Sequence, residues 1–455
     1  MRRSNPVRVT AGLALAVGLC VSAVGPVGAQ SPGSDKPFAG TTLTMWEFET
    51  PIADTHGKHL QEFEDATGIH VDQLTLTEGA YVDKVKLAQL AKDSAPDVYY
   101  TDFAFKGDVV DRGAEEYLDD YLADPAKTSA EYNAADISSG LMGLCQIDGK
   151  QICLPFFSNG TFYYYNKQIL ADAGITEPPT TIDDIIAIAK ATNDPAKGIA
   201  GICMRGSAES ANQYSAYLMS QYFLPYDDNK AVILDKDYRP LYDTPEAQTW
   251  LTDYVDLMQN YAPAGVQSYG YLDCNRDFEQ GKVAQYWEAD PWIGEFLDPT
   301  KSSIVDDVGF AVLPCPANNP DHCIANAGGG WYLNKYSEHK DAAWELMKWL
   351  TNEENQVKWG IEDKSTFQVT RNAALPQVAT GVGFPQEVSD ALAYAHAHAH
   401  PSPFPPIPNI SDMVTITSRM LTQVVAGQLS IDDGLAQAQE DTIKSMVDNG
   451  LLAQP

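Results

Sequence analysis

Basic residues are scarce in this chain of 455 residues. It carries 30 Lys and Arg against 62 Asp and Glu, which gives a formal net charge of −32. A surface of that sign repels the phosphates of nucleic acids and the headgroups of anionic membranes. We therefore expect neither a nucleic acid nor an anionic membrane surface as a partner.

Long apolar runs are also missing, apart from one short stretch near the amino terminus. Ala11 to Val24 is apolar, follows three arginines and precedes the small residues Val27-Gly28-Ala29, an order typical of an export signal. The run is shorter than the about 20 apolar residues that span a bilayer. We expect residues 1–29 to be removed and the protein to act in the periplasm or at the extracellular face of the cytoplasmic membrane.

The cysteines show no Cys-x₂-Cys spacing, which argues against a zinc site. Cys20 follows Leu19, whereas a lipid-modified Cys normally follows a small residue, so we expect Cys20 to leave with the signal; a lipid anchor is the alternative. The other six form an even set in an exported chain, which predicts disulfides. Cys145–Cys153 and Cys315–Cys323 each bracket a short turn-forming segment. Cys203–Cys274 is the remaining pair, by elimination.

Recognisable catalytic motifs are absent as well. The sequence has no Ser/His/Asp or Cys/His arrangement that we recognise and no glycine-rich phosphate loop. His396, His398 and His400 alternate with alanine, but their neighbours predict a helix that ends before Pro401, and residues two apart on a helix point to different faces. We therefore predict no metal site, no cofactor and no enzymatic activity.

Alternating strands and helices follow a Pro/Gly/Ser-rich linker at 30–37, which predicts an α/β fold with a parallel, doubly wound sheet. The 426 residues after the signal exceed what one core holds, so two lobes are expected. Because carboxyl ends of parallel strands share one rim, Trp46, Glu47 and Asp102 are predicted to lie near one another. The predicted strands are Thr42–Phe48, Ile69–Leu76 and Pro96–Tyr100.

The stretch from Gly281 to Gly294 contains the main candidates for ligand contact. Pro291 restrains the residue before it, so a strand is predicted to end near Asp290 and to leave Trp292 in the loop at its carboxyl end. An indole face stacks on the C–H face of a sugar, and a carboxylate accepts from its hydroxyls. Trp287, Glu288, Asp290 and Trp292 are therefore candidate ligand-binding residues, with core packing as the alternative for the tryptophans.

Five stretches, in order, resemble the extracellular solute-binding proteins of ABC importers, the sugar-binding group that includes maltose-binding protein. They are Thr42–Phe48, Pro96–Asp102, LPFFSNGTFYYYNKQILADAGI from Leu154, EADPWIG from Glu288, and GGGWYLNKYSEHKDAAWELMKWLTNEENQ from Gly328. The likeness covers nearly all of the chain after the signal. The sequence departs from the family pattern at Asp290, where Gly usually precedes Pro-Trp, and at Trp287-Glu288, where aliphatic or small residues are usual.

The resemblance implies two α/β lobes, joined by a multi-strand hinge, with the ligand in the cleft between them. Lobe one would take about residues 38–155 and 313–367, and lobe two about 158–310 and 370–455. The hinge would cross near Leu154–Ser158, Leu313–Pro316 and Lys364–Gln368. A membrane permease of an ABC transporter is the implied partner, and we expect the protein to be a monomer.

The same resemblance assigns individual residues. Trp292 would be the stacking aromatic of lobe two, Trp331 a cleft residue, and Asp102 a hydroxyl acceptor of lobe one. Gly329 belongs to a run of three glycines, which allows the backbone to approach either a ligand or another strand.

Three further candidates have competing structural interpretations. Asn159 and Arg371 lie near the hinge crossings, where Arg371 would hold a sugar hydroxyl or pair with a surface acid. Trp46 lies on the first strand and would face either the ligand or the core of lobe one.

The function that fits these features is capture of a neutral sugar or oligosaccharide by lobe closure, for delivery to an ABC permease. One alternative is a secreted glycoside hydrolase that uses a carboxylate pair such as Asp102 and Glu288. Another is a binder of a cation such as a polyamine, because four candidate acids exceed what a neutral ligand needs: Glu47, Asp102, Glu288 and Asp290.

Overall fold

The structure is a computed structural model. It describes residues 36–207, 210–220, 222–224, 232–314, 324–366, 368–397, 399–400, 407 and 410–453. Among those residues, every helix is too short or too polar to span a bilayer. The predicted signal at 1–29 and the predicted pair Cys315–Cys323 lie outside the described residues.

Strands and helices alternate at the start of the described chain, as predicted. The strands are β1 (Thr42–Phe48), β2 (His70–Leu76), β3 (Val98–Asp102), β4 (Gln146–Ile147), β5 (Lys150–Gln151), β6 (Leu154–Asn166), β7 (Gln285–Ala289), β8 (Val308–Val312), β9 (Ile324–Leu333) and β10 (Ala399–His400). The strand predicted over Thr42–Phe48 has those bounds, and β7 ends directly before Asp290, as Pro291 led us to expect.

The helices occupy most of the remaining described chain. They are α1 (Pro51–Thr67), α2 (Glu78–Ala91), α3 (Lys106–Asp111), α4 (Asp119–Ala123), α5 (Ser139–Leu144), α6 (Lys167–Asp172), α7 (Ile182–Thr192), α8 (Ser210–Ser220), α9 (Pro245–Asn260), α10 (Tyr271–Glu279), α11 (Ile293–Phe296), α12 (Lys340–Leu350), α13 (Glu353–Glu362), α14 (Ala374–Val382), α15 (Gln386–Ala397), α16 (Ile410–Val425) and α17 (Ile431–Asp448). Short 3₁₀ turns, including Asp290–Trp292, connect several of them.

Helix starts follow the local capping rules that the sequence predicts. Thr181 and Asp184 form a reciprocal capping box at the start of α7. Thr244 caps α9, with Pro245 in its first turn, and the Ser430 hydroxyl accepts from the Asp433 amide at the start of α17.

The sheet is mixed rather than wholly parallel. Its order is β2-β1-β3-β9-β6-β7, with β8 also paired to β6 and β10 to β9. The predicted parallel arrangement holds for β1 with β2 and β3. It fails beyond them because β9 runs antiparallel to β3 and β6, and β6 runs antiparallel to β7 and β8.

Strand β6 is shared between separate hydrophobic cores. Its first residues, Leu154–Phe157, join a cluster that draws on residues 43–157 and 331–359. Further along, Tyr163 joins a second cluster, whereas Phe162 and Tyr164 join a third, because successive side chains of a strand point to opposite faces. One continuous strand therefore connects the regions that the sequence assigns to two lobes.

Two of the three predicted disulfides are present, Cys145–Cys153 and Cys203–Cys274. The first closes the predicted hairpin, whose strands are β4 and β5. Asp148 and Gly149 form its turn with φ of 52° and 74°, the left-handed conformation that a two-residue hairpin turn requires.

The helix predicted for the His/Ala segment ends before Pro401, as expected. Helix α15 ends at Ala397, and Ala399–His400 then pairs in parallel with β9. His398 lies outside the described residues.

Gly330 in β9 packs directly on the buried Cys145–Cys153 disulfide. A Cβ at this position would lie 2.5 Å from Cys153 Sγ and 2.9 Å from Cys145 Sγ. We expect Gly330→Ala to lower the free energy of unfolding by about 1–3 kcal/mol through overpacking, measured by urea unfolding.

The matched control is Gly143→Ala in α5, where a Cβ would meet no atom within 4 Å. That variant should be neutral or slightly more stable, because Ala favours a helix over Gly. Equal stability of the Gly330 variant and the parent protein would contradict the close contact.

Candidate ligand-binding site

Glu47, the penultimate residue of β1, lies inside a polar cluster that we call the Glu47 cluster: Glu47, His56, Gln73 and Gln368. Glu47 Oε2 lies 2.7 Å from His56 Nδ1, and Glu47 Oε1 accepts from Gln73 Nε2 at 2.8 Å. His56 Nε2 lies 3.0 Å from Gln368 Oε1. Glu47 is 3% exposed and His56 is fully buried, so this carboxylate has an internal partner at each oxygen.

A narrow pocket adjoins Glu47, with a volume of about 10 Å³, enough for about one water molecule. It is lined by Glu47, Phe48, Thr50, Ile52, Tyr100, Phe156 and Phe157. The Tyr100 hydroxyl donates to Asp102 at the end of β3. Glu47 and Asp102 therefore both adjoin Tyr100, as expected from their shared rim.

Gly329 faces protein rather than open space. It pairs with Asp102 on one side and with Phe157 on the other. A Cβ on Gly329 would lie 2.2 Å from Tyr100 Cε2 and 2.8 Å from Phe157 Cε1. Of the two interpretations of the glycine run, the described contacts favour close packing of these rings.

Glu288 lies in a second cluster, which we call the Arg205 cluster: Arg205, Tyr271, Glu288 and Trp292. The Arg205 guanidinium donates two hydrogen bonds to the Glu288 carboxylate, from Nε to Oε2 at 2.6 Å and from Nη2 to Oε1. The carboxylate also accepts from the Tyr286 hydroxyl at 3.1 Å and the Ala289 amide at 2.9 Å. Burial and the adjacent Glu288 charge raise the pKa of Tyr286 well above its ordinary value, so this hydroxyl stays protonated and donates.

Trp292 lies in the turn after β7, as predicted, and is half-buried. Its ring stacks on Tyr271 with centroids 5.1 Å apart and an interplanar angle of 25°. Arg205 Cζ lies 5.2 Å from the centroid of the same Tyr271 ring. A planar cation and two stacked aromatic rings thus lie together, which suits a ligand with both C–H faces and hydroxyls.

Sequence reasoning missed Arg205 and Tyr271. Arg205 follows Cys203, which forms a bridge with Tyr286 of β7 and a disulfide to Cys274 of α10. Tyr271 opens α10. The predicted Cys203–Cys274 disulfide could have indicated both residues, since it brings the segments that carry Arg205 and Tyr271 next to Glu288 of β7.

Trp287 points away from Glu288, because neighbouring strand residues face opposite sides of the sheet. It is 1% exposed and belongs to the second hydrophobic cluster. The two side chains therefore leave β7 on opposite faces, and Trp287 takes a core position; the ligand roles of both residues stay predictions.

Trp331, Trp46 and Arg371 also make the contacts of structural residues. Trp331 is fully buried, with its ring 4.8 Å from that of Phe156. Trp46 is 9% exposed and lies under Lys84 Nζ, 4.3 Å from the ring centroid.

Arg371 is 1% exposed and cross-links backbone segments. Its Nε donates to the Thr351 carbonyl at 2.7 Å, and its Nη1 donates to the Asn133 carbonyl at 2.9 Å. Its guanidinium lies over Tyr132, 4.7 Å from the ring centroid. Its Nη1 also lies 3.8 Å from Asp136 Oδ2, so Arg371 pairs with an acid, one of its two predicted roles, although this acid is largely buried. A ligand role of Arg371 stays a prediction.

Asp290 follows the end of β7, and Asn159 lies within the neighbouring strand β6. Asp290 is fully buried, and a Cβ on Gly160 would lie 3.8 Å from its Oδ2. Asn159 pairs through its backbone with Ala327 of β9. Asp290 therefore lies against β6 beside Asn159, and the ligand roles of both remain predictions.

The fold with this site is that of the two-lobe solute-binding proteins of ABC transporters. The crystal structure of such a protein from Agrobacterium radiobacter K84, in complex with ribitol, has a TM-score of 0.79 and 24% identity. The match covers 90% of this chain and 100% of that one. A maltose-bound protein from T. maritima has a TM-score of 0.74 and 21% identity, covering 89% and 100% of the two chains.

Residues 49–357 match the family described as bacterial extracellular solute-binding protein. The chain belongs to this family, whose members are binding proteins rather than enzymes. It is 25% identical over 335 residues to an erythritol/L-threitol-binding protein of Mycolicibacterium smegmatis, covering 70% of this chain and 68% of the relative. It is also 25% identical over 354 residues to a mannitol-binding protein of Pseudomonas aeruginosa, covering 73% and 77%.

The fully buried Glu288, paired with the partly exposed Arg205, gives a direct test of this geometry. Removing one partner leaves an uncompensated buried charge, so we expect Arg205→Met to lower the free energy of unfolding by about 3–5 kcal/mol. Urea unfolding of the full exported chain measures the change.

The control is Arg239→Met, because the Arg239–Asp243 pair is exposed, at 60% and 47% for the two side chains. Exposed pairs contribute about 0–1 kcal/mol, so this variant should resemble the parent protein. If both variants changed the free energy of unfolding equally, the Arg205–Glu288 pair would contribute no more to stability than an exposed pair, which would contradict this geometry.

Proposed function

We propose that the protein captures a small neutral polyhydroxyl compound, a sugar or sugar alcohol, and delivers it to the membrane permease of an ABC importer. Support comes from relatives whose names give erythritol, L-threitol and mannitol as ligands. A structural neighbour holds ribitol, which is also an uncharged chain of hydroxyl-bearing carbons.

The observation that carries this proposal is the internal pairing of two of the four candidate acids. Glu288 is held by the Arg205 guanidinium, and Glu47 contacts the His56 imidazole. A cationic ligand would have to compete with these built-in partners for both carboxylates. A neutral ligand needs only hydrogen-bond donors and acceptors from the same groups, so the charge arrangement favours it over a polyamine.

The same contacts disfavour a glycoside hydrolase. Glu288 accepts from Arg205, Tyr286 and the Ala289 amide, so its oxygens are engaged and poorly placed to exchange a proton with a substrate. We propose that the protein binds its ligand without turning it over.

The register of the sheet supports a ligand between Asp102 and Trp292. Asp102 pairs with Gly329, which pairs with Phe157 of β6. Thr161 of the same strand pairs with Ala289, directly before the turn that holds Trp292. Four residues of strand separate these positions, a length of about 13 Å. That span suits a ligand of a few carbon atoms together with the side chains that hold it.

Ligand entry requires the lobes to open. The pocket beside Glu47 is too small for a sugar alcohol in this conformation, so we propose closure of lobe one, at about 38–155 and 313–367, on lobe two, at about 158–310 and 370–455. The division is supported by the hydrophobic clusters, of which the first draws on 43–157 and 331–359. Closure responds to a ligand only if the ligand contacts both lobes.

A thermal-shift screen followed by calorimetry tests the function. We expect one of erythritol, ribitol, D-mannitol and maltose to raise the melting temperature of the protein, with stoichiometric binding and no product. Trp292→Ala should weaken that binding by about 2 kcal/mol or more, because a stacked aromatic contact is lost. Its half-buried position predicts only a small loss of stability.

Tyr117→Ala is the matched control for lost aromatic surface. Tyr117 is 40% exposed and also has a cation over its ring, Lys150 Nζ at 4.5 Å, but it lies outside both clusters. Its affinity for the ligand should match that of the parent protein. A Trp292 variant with parental affinity and several kcal/mol less stability would mean that Trp292 is a core residue.

A further inference from the structure

His56 faces an acceptor at both ring nitrogens. Nδ1 lies 2.7 Å from Glu47 Oε2, and Nε2 lies 3.0 Å from Gln368 Oε1. The orientation of the Gln368 amide is set by its own Nε2, which donates to Asp363 Oδ2 at 3.3 Å. Two acceptors on one imidazole are satisfied together when both nitrogens carry hydrogen.

A competing arrangement places one proton on Glu47 and leaves His56 neutral. Glu47 Oε1 already accepts from Gln73 Nε2 at 2.8 Å, which stabilises the ionised carboxylate. A free Glu carboxyl is also a stronger acid than a free imidazolium by about two pKa units, so the shared proton belongs on the imidazole. Three aromatic centroids, of Phe156, Trp331 and Trp359, lie 5.3–5.8 Å from the imidazole, within the range at which rings attract a cation.

We propose that His56 is a buried imidazolium that positions the Glu47 carboxylate for a ligand hydroxyl and ties it to Gln368. His56 is thus a positioning residue, because it acts through Glu47 and does not line the pocket. This inference rests on the proposed function for its ligand. Glu47 belongs to β1, whereas Gln368 follows α13, so the imidazolium joins a ligand-contacting group to a segment predicted to cross the hinge.

The charges around His56 come from several elements. Glu47 faces it from β1, and Asp363 approaches from the end of α13, where it accepts from the Thr55 hydroxyl at 2.9 Å. Burial raises the pKa of Asp363, and the positive charge of His56 opposes that rise. Tyr81 of α2 adjoins Glu47, and burial, with the Glu47 charge second, raises its pKa well above the ordinary value.

The first measurement is the ¹⁵N NMR spectrum of the imidazoles in the full exported protein, with His56→Gln to assign the signal. The expected result is that both ring nitrogens of His56 carry protons near neutral pH. A singly protonated His56 would overturn the proposal. This readout needs no ligand, so it stands even if none of the sugars or sugar alcohols binds.

The second measurement is calorimetric titration near neutral pH with the compound that gives the largest shift among erythritol, ribitol, D-mannitol and maltose. We expect His56→Gln to weaken binding about tenfold, as expected for loss of a charge-assisted bond. Parental affinity would refute the positioning role.

His59→Gln is the matched control on the same helix, one turn further along. His59 also contacts two carboxylates, Glu62 Oε1 and Glu362 Oε2, each at 2.9 Å, but neither belongs to the Glu47 cluster. Its variant should keep parental affinity within about twofold. An equal loss in both variants would mean that the effect is general destabilisation of α1 and would overturn the proposal; no binding in the parent protein would refute the proposed function instead.

Discussion

The antiparallel pairing of β6 with β9 is the constraint on which the rest of the structure depends. Leu154 to Gly160 pairs with Trp331 to Asn326, and the continuation of β6 pairs with β7 and β8. Glycines in β9 allow the Tyr100 ring and the Cys145–Cys153 disulfide to pack directly on the strand. The sheet thereby sets the ends of β3, β6 and β7, and with them Asp102, Asp290 and Trp292, in one fixed frame.

Within that frame, the main physical problem is the burial of charge in a strongly acidic chain. A buried carboxylate without a partner costs several kcal/mol. The fold supplies the Arg205 guanidinium to Glu288 and the His56 imidazole to Glu47, so each of these acids has a built-in partner. With those partners in place, the proposed neutral ligand would meet hydrogen-bond donors and acceptors rather than unpaired negative charge.

Local chemistry made much of the fold predictable from the sequence. Pro291 ended β7, Asp148-Gly149 made the hairpin turn, and the Thr181 and Thr244 caps placed two helix starts. The candidate site was less predictable because its contacts join distant residues: Arg205 and Glu288 are 83 residues apart, and His56 and Gln368 are 312 apart. Strand alternation alone already indicates that Trp287 and Glu288 leave β7 on opposite faces.

Salt dependence of ligand affinity tests the neutral character of the site most directly. Isothermal titration calorimetry of the full exported protein at low and at high ionic strength would compare the bound sugar alcohol with the polyamine spermidine. Since a neutral ligand gains little from unscreened charge, its dissociation constant should change by less than about twofold, and spermidine should not bind measurably. An affinity for spermidine that exceeds that for every sugar alcohol, and that weakens about tenfold or more with added salt, would contradict a neutral ligand.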